Sequence, residues 1–501
     1  MSETTTLTRP PVSQPATHVD VLIVGAGISG IGGAWHLRQQ CPEKSFAILE
    51  SQASFGGTWL THKYPGIRSD SDLYTFGYRF KPWTGAPIAT AEEIRRYMGE
   101  VIAEAGLDRH IRYNHRIASA AWSSEQQLWT ITATRGDTGE AVQFTANFLW
   151  MCQGYYRHEK GYTPEWPGME NFQGQLIHPQ EWPEDLDYSG KRVIVIGSGA
   201  TAATVVPAMA PKAAHVTMLQ RTPTYFRTGR NAIAIADELR SLNIDETWIH
   251  EITRRTILRD QAVFTRRTFE EPETVRQELL ANVQSYVGKD YPVDPHFTPG
   301  YRPWRQRLAF IPDGDLFQEV AKGRASVVTD EIEGFTESGI QLKSGQHLEA
   351  DIIVTATGFN LSVLGDIAFE IDGQPLDFGS TVTYRGMMFT GVPNLCWVFG
   401  YFRASWTLRA DLVGDFVCRL LHHMDAIGAK QVTPALRPED EGLPLLPWID
   451  PENFNPGYLM RGMHLLPKRL DKPEWQHTQD YWAEKDEFPA IDLTDAAFRY
   501  R

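Results

Sequence analysis

Two short glycine-rich turns, Gly25-Ala-Gly-Ile-Ser-Gly30 and Gly197-Ser-Gly-Ala-Thr-Ala202, constrain this chain more than any other feature. Each follows an apolar run of strand length, Val19 to Val24 and Lys191 to Ile196, and each opens a helix-like segment. That context turns a weak glycine pattern into a dinucleotide-binding signature. The first glycine permits a tight turn, the second lets a pyrophosphate approach the backbone, and the third lets the helix pack on the strand. Ala202 meets the last requirement in the second turn because it is also small. The expected fold class is α/β, with two Rossmann-like dinucleotide-binding domains.

The strands that partner the two turns end differently. Phe46 to Leu49 ends at Glu50, whose carboxylate accepts hydrogen bonds from ribose hydroxyls and repels a 2′-phosphate. Val216 to Gln220 ends at Arg221 and Thr222, which neutralise and hydrogen-bond such a phosphate. The first site therefore favours a nucleotide with a free ribose, and the second favours NADP(H).

Between and around these units the chain divides as follows. Residues 1–18, polar and rich in Thr and Pro, read as a disordered arm, and 19–158 as the first part of one nucleotide domain. Within it, Gly56 to Asp70 is a long irregular loop of the kind that is usually functional. Arg68 and Asp70 in that loop either both face a cofactor or form a surface ion pair. Residues 89–106 show helical apolar spacing. Ile111 to Tyr113, Ile117 to Trp122, Trp129 to Ala133 and Val142 to Ala146 read as short strands of an antiparallel insertion, and Phe148 to Cys152, apolar again and ending at Gly154, as a strand returning beside the first nucleotide. Residues 159–190 form a linker containing Phe172 to Pro183. Residues 191–350 form the second domain with a helical insert at about 228–291, which either covers a cleft or serves only packing. Residues 351–501 hold a buried strand ending at Gly358, the rest of the first domain, a helix from Ala404 to Ile427 and a Pro-rich stretch.

Composition narrows the class. A formal net charge of -14 with dispersed Lys and Arg argues against a nucleic-acid partner. No apolar run approaches the roughly 20 residues of a membrane span, and no secretory signal is evident, so a cytoplasmic protein is expected. Cys41, Cys152, Cys396 and Cys418 are far apart in sequence and form no C-x-x-C pair, so neither a redox disulfide nor a metal site is expected.

The two turns, with Phe172-x-Gly174-x-x-x-His178-x-x-x-Trp182-Pro183 between them, resemble the fingerprint of the type I Baeyer-Villiger monooxygenases, within the flavin-containing monooxygenase superfamily. Gly56-Gly57-x-Trp59, Tyr64-Pro65-Gly66 and Asp70 match that family's second motif, and Ala356-Thr357-Gly358 matches one shared with the wider superfamily. Tyr-Pro-Gly-Ile-Arg-Ser-Asp-Ser-Asp from Tyr64 and Ala-Ser-Trp-Thr-Leu from Ala404 make the chain most similar to the ethionamide-activating subgroup.

The resemblance implies FAD at the first turn, held by Gly25, Gly27, Ser29, Gly30, Glu50, Gly57, Thr58, Trp59, Arg68, Ser69, Asp70 and Ile117. It implies NADPH at the second, held by Gly197, Ser198, Gly199, Ala200, Thr201, Ala202, Ala203, Arg221 and Thr222. NADPH would reduce the flavin, and one atom of O2 would be inserted beside a ketone carbonyl to give an ester or lactone, with sulfides as further substrates. Arg307 would be the cation that stabilises developing negative charge, and Asp70 the carboxylate that orients it. Gln306 stands where some members have a lysine for the 2′-phosphate, and Arg302 and Arg305 lie close by. His178, a linker histidine, is more often a hydrogen-bonded structural element than an acid or base.

Other readings remain. An oxygenase acting only on sulfur or nitrogen would need Arg307 less. An NADPH-binding redox sensor would use both glycine turns but leave the Gly56 to Asp70 loop and Arg307 without a purpose. A flavoprotein disulfide reductase is excluded by the missing cysteine pair.

Overall fold

The computed structural model describes residues 16–501. Thr17–Val24 forms the centre of a nine-stranded sheet, parallel to Phe46–Leu49 on one side and Ala141–Met151 on the other, with Val21 in register with both Phe46 and Phe148. Val21, Leu22 and Ile23 are fully buried, as a parallel strand covered on both faces requires. The Ile28–Gln40 helix follows the first turn and packs along the Trp406–Ile427 helix.

Two expectations change in this sheet. Thr17 and His18, assigned to the disordered arm, already belong to the first strand; residues 1–15 of that arm lie outside the described residues. Val142 to Ala146 and Phe148 to Cys152 are not separate strands but one, Ala141–Met151. Residues Ala141 to Ala146 pair antiparallel with Leu128–Arg135, and Phe144 to Met151 pair parallel with Thr17–Val24, so Phe144 to Ala146 are flanked on both sides. The polar Asn147 between the two runs does not interrupt it, because its carbonyl accepts a hydrogen bond from the Asn394 side chain (2.8 Å). The antiparallel strands therefore extend the main sheet.

The second sheet has five parallel strands in the order Ala325–Thr329, His215–Gln220, Arg192–Ile196, Ile352–Thr355, Gln175–Ile177. Two boundaries move as a result. Gln175–Ile177, expected within a linker, is the fifth strand of this sheet. Ile352–Thr355, expected in the returning part of the first domain, sits beside Arg192–Ile196. Ile352, Ile353 and Val354 are each nearly inaccessible to water. A strand apolar on both faces is stable only in a sheet interior, where its backbone groups are also paired. Past Gly358 the chain returns to the first sheet, where Ala368–Ile371 lies parallel to His115–Ser123.

The insert consists of the helices Ala234–Ser241, Glu246–Glu270 and Pro272–Val287. Arg254, buried on the longest of them, donates to the carbonyls of Tyr74 (2.7 Å), Thr75 and Gly77 (both 3.3 Å). These lie at the carbonyl end of the one-turn Leu73–Phe76 helix, where a cation is favoured. The insert thus fastens one nucleotide unit to the other. Among the described residues no helix is long and apolar enough to cross a membrane.

Candidate active site

Both glycine turns open onto one cavity of about 1110 Å³. That volume lies just above the roughly 300–1,000 Å³ of ordinary small-molecule pockets. Gly25, Gly27 and Ser29 line it from the first turn, and Gly197, Ser198, Gly199, Ala200 and Thr201 from the second. Glu50, Gly57, Thr58, Trp59, Arg68, Asp70, Ile117, Arg221, Thr222, Gln306 and Arg307 complete the expected set on its walls. Four expected residues do not reach it. Gly30 is packed against the turn itself, where an added Cβ would stand 1.9 Å from the Gly25 carbonyl oxygen. Ala202 and Ala203 are buried in the core of the second unit. Ser69 is buried, its Oγ accepting from the Ala89 amide (3.4 Å). No residue between Thr224 and Gln306 lines the cavity, so the insert packs without roofing it.

The donor chemistry of the two turns suits phosphate. The Ile28–Gln40 and Ala200–Met209 helices start at Gly27 and Gly199, and neither has a side chain capping its first amides. Uncapped N–H groups at a helix start carry partial positive charge and favour an anion. At Gly199 an added Cβ would meet no atom within 4 Å, so the backbone faces open space. Glu50 accepts from the Ala26 amide through Oε2 and the Gln52 amide through Oε1 (both 2.8 Å). Burial pushes its pKa up while those bonds oppose the rise. Oε1 also accepts from Ser51 Oγ (3.3 Å), so Oε2 is the oxygen that keeps a lone pair for a further donor. Ser198 Oγ donates to the Thr222 carbonyl (3.1 Å) and so ties the second turn to Arg221 and Thr222, which are exposed at the rim.

Arg68 and Asp70 do not pair with each other. Arg68 forms a two-point contact with Asp315 (2.5 and 3.1 Å), and Asp70 Oδ2 accepts from Arg307 Nη2 (3.0 Å). Asp70 holds the Arg307 pKa well above its ordinary value, so the guanidinium remains a cation. The neighbouring arginines turn elsewhere: Arg302 stacks 4.0 Å over the Phe269 ring and Arg305 pairs with Glu452 (2.9 Å).

Several wall residues were missed in the sequence. Tyr155 and Tyr156 follow Gly154 at the end of the Ala141–Met151 strand, and their hydroxyls are 2.6 Å apart. Burial raises both pKa values well above the ordinary range, so they stay neutral hydroxyls near Arg307. Tyr155 stacks on Trp406 (centroids 5.3 Å), and Tyr156 lies 4.2 Å from the Phe359 ring. Their position at the carboxyl end of a parallel strand beside the first turn was the available signal. Tyr458, in the Pro-rich region, carried none. His62, also on the wall, is pushed down to about 4 by burial and then by His158 and His178, which keeps it neutral.

The fingerprint segment stands apart from the main cavity. Gln180 N–H donates to His178 Nδ1, and the other ring nitrogen is 3.2 Å from the Gly358 carbonyl, which fixes the tautomer with Nε2–H as donor. Phe172 packs near Phe335, Gly174 approaches Asp351, and Trp182 packs on the second unit's core. None of Phe172, Gly174, His178 or Trp182 lines the cavity.

Comparison with known proteins places these features. Residues 87–231 match the model of the flavin-binding monooxygenase-like family, and 23–86 that of an NAD(P)-binding Rossmann-like domain. The chain is 47% identical over 467 residues to the FAD-containing monooxygenase EthA of Mycolicibacterium smegmatis, covering 93% of each protein. It is 43% identical over 490 residues to the probable FAD-binding monooxygenase AlmA of an Acinetobacter species, covering 96% of each. In fold it is similar to a steroid monooxygenase solved in its oxidized form with NADP (22% identity, 97% and 99% coverage, TM-score 0.73) and to OTEMO solved with FAD and NADP (20%, 97% and 100%, 0.73).

Proposed function

Because this chain belongs to the family of FAD-containing monooxygenases, we propose that it binds FAD at the Gly25 turn and NADPH at the Gly197 turn, and inserts one oxygen atom of O2 beside a ketone carbonyl to give an ester or lactone, oxidising sulfides as well. The observation that carries this reading is the Arg307–Asp70 contact on the wall of the cavity both turns share. When bound, FAD and NADPH would supply the oxygen-activating and reducing chemistry.

The protein's own residues do the rest. Gly25, Gly27 and the uncapped amides of the first helix receive the pyrophosphate, and Glu50 receives ribose hydroxyls. Arg221 and Thr222 receive the 2′-phosphate. Asp70 engages Nη2 of Arg307 and leaves other guanidinium N–H groups free to point at the oxygen where negative charge develops. A preorganised cation in a partly dry site stabilises such charge without reorganisation. The neutral Tyr155 and Tyr156 hydroxyls offer donors for a carbonyl oxygen, and the aromatic wall of Trp406 and Phe359 limits access of water.

The test is product analysis. Purified protein is expected to be yellow, and to convert members of a ketone panel to esters with NADPH and O2. Sulfoxides without esters would instead identify a sulfur and nitrogen oxygenase. Bound NADPH with no oxygenated product would identify a sensor.

A further inference from the structure

Cysteines that are 377 positions apart in the chain meet where the Ile28–Gln40 helix ends against the Trp406–Ile427 helix. Cys41 is the residue that ends the first helix, and Glu43 follows two positions later. Cys418 and His422 are four apart on the second helix and so share a face. The Cys41 thiol lies 3.9 Å from the Cys418 carbonyl oxygen and 3.5 Å from His422 Nε2. His422 Nε2 is in turn 3.9 Å from Glu43 Oε1. The ligand atoms of Cys41, Glu43 and His422 all lie within 4.8 Å of one another.

We propose that Cys41, Glu43 and His422 form a binding site for a divalent ion of the zinc class, with Cys418 as an adjoining thiol. The ligand chemistry fits: one thiolate, one imidazole and one carboxylate suit a borderline-soft ion. The geometry fits too. Zinc–sulfur and zinc–nitrogen bonds of about 2.3 and 2.05 Å at a tetrahedral angle put the two ligand atoms about 3.6 Å apart, against the 3.5 Å found. The nitrogen-to-oxygen separation needs to close from 3.9 Å to about 3.4 Å, a small movement for a Glu43 side chain that is 55% exposed. Access is also provided. Cys41 is buried, but the half-exposed His422 and Glu43 open the site to solvent. Lys44, the nearest ammonium in the loop, is engaged by Asp425 (2.7 Å).

The position gives the ion a consequence for the cavity. At their other ends the same two helices meet where Trp406 Nε1 donates to Ser29 Oγ (2.7 Å), and both of those residues line the cavity. An ion at Cys41 would clasp the helix pair at the opposite end, without touching the reacting groups.

Cobalt titration tests this on the flavin-loaded protein, with thiols reduced and metals stripped by chelator. The expected result is one equivalent of Co²⁺ bound with a sulfur-to-cobalt charge-transfer band in the difference spectrum, displaced by Zn²⁺. Cys41→Ser is expected to abolish the band. His422→Ala, a surface change that leaves the core intact, is expected to weaken binding at least as much as the roughly 10–100-fold lost with an outer-shell partner. Absence of the band in the wild-type protein overturns the proposal. So does a band that survives Cys41→Ser, or an affinity unchanged in His422→Ala.

Discussion

Arg307 Nη2 lies 3.0 Å from Asp70 Oδ2, although 237 positions separate the two residues in the chain. The contact joins a loop of the first nucleotide unit to the segment that leaves the insert. It engages one nitrogen of the guanidinium, and both residues line the cavity. Replacing Arg307 by Ala is expected to lower oxygenated product formation by about 10²–10³-fold, the usual cost of one preorganised charge-stabilising donor. Flavin reduction by NADPH is expected to change far less. Because the pair acts as a unit, the Asp70→Ala, Arg307→Ala double variant is expected to lose less than the two single effects combined. Product formed per NADPH consumed is the measurement. Full coupling retained in Arg307→Ala would remove this residue from the chemistry.

Gly199 and Gly30 occupy comparable turns but face different surroundings. An added methyl at Gly199 meets nothing within 4 Å, whereas at Gly30 it runs into the Gly25 carbonyl. Gly199→Ala is therefore expected to leave thermal stability nearly unchanged while raising the KM for NADPH. Gly30→Ala is expected to lower the melting temperature and the flavin content of the purified protein. Equal loss of stability in the two variants would contradict this assignment.

Arg221 sits exposed at the rim, at the end of the strand that partners the second turn. Truncation to Ala removes a charged contact of about 1.5–3 kcal/mol, equivalent to roughly 10–150-fold in affinity. The expected outcome is a rise of that order in the KM for NADPH with little change for NADH. Steady-state kinetics with both cofactors decides it, and a parallel loss for both would show that the residue does not read the 2′-phosphate.

His36 is buried between Asp411 (3.0 Å) and Asp415 (3.4 Å). Burial lowers its pKa, but the two carboxylates outweigh that and raise it to about 9 from 6.5. A folded-state pKa above the unfolded one adds stability that is complete below about pH 6.5 and lost as pH rises through about 9. The increment is roughly 3 kcal/mol. His36→Gln is accordingly expected to be less stable than wild type in denaturant titrations near pH 6, with the gap closing towards pH 10. A gap independent of pH would mean that His36 contributes packing and not charge.

The linker histidine illustrates how far local reasoning reaches. His178 reads as a structural residue in the sequence, and in the fold its ring bridges the Gln180 amide and the Gly358 carbonyl. The segment around it is less of a linker than its Pro and Trp content suggests. Gln175–Ile177 pairs with Ile352–Thr355, so the stretch is part of a sheet. Three residues are too few to declare themselves a strand until a partner with unpaired backbone groups lies beside them.

What the sequence determined by itself was whatever depends on contiguous residues. Strand, glycine turn and helix start occupy a dozen neighbouring positions at Gly25 and again at Gly197, and the acid or base at the end of the partner strand lies about 20 residues on. Turn sterics and helix-terminus electrostatics act over that range, so both strand–turn–helix units were legible, as were the different residues, Glu50 and Arg221, that follow their partner strands. The tertiary structure alone decided which distant side chains meet. It selected Arg307 over Arg302 and Arg305 as the partner of Asp70, brought Tyr155 and Tyr156 to the wall with Tyr458, and set Cys41 against His422. These contacts join residues hundreds of positions apart, and only the packing of two sheets and their helices fixes such separations to a few ångströms.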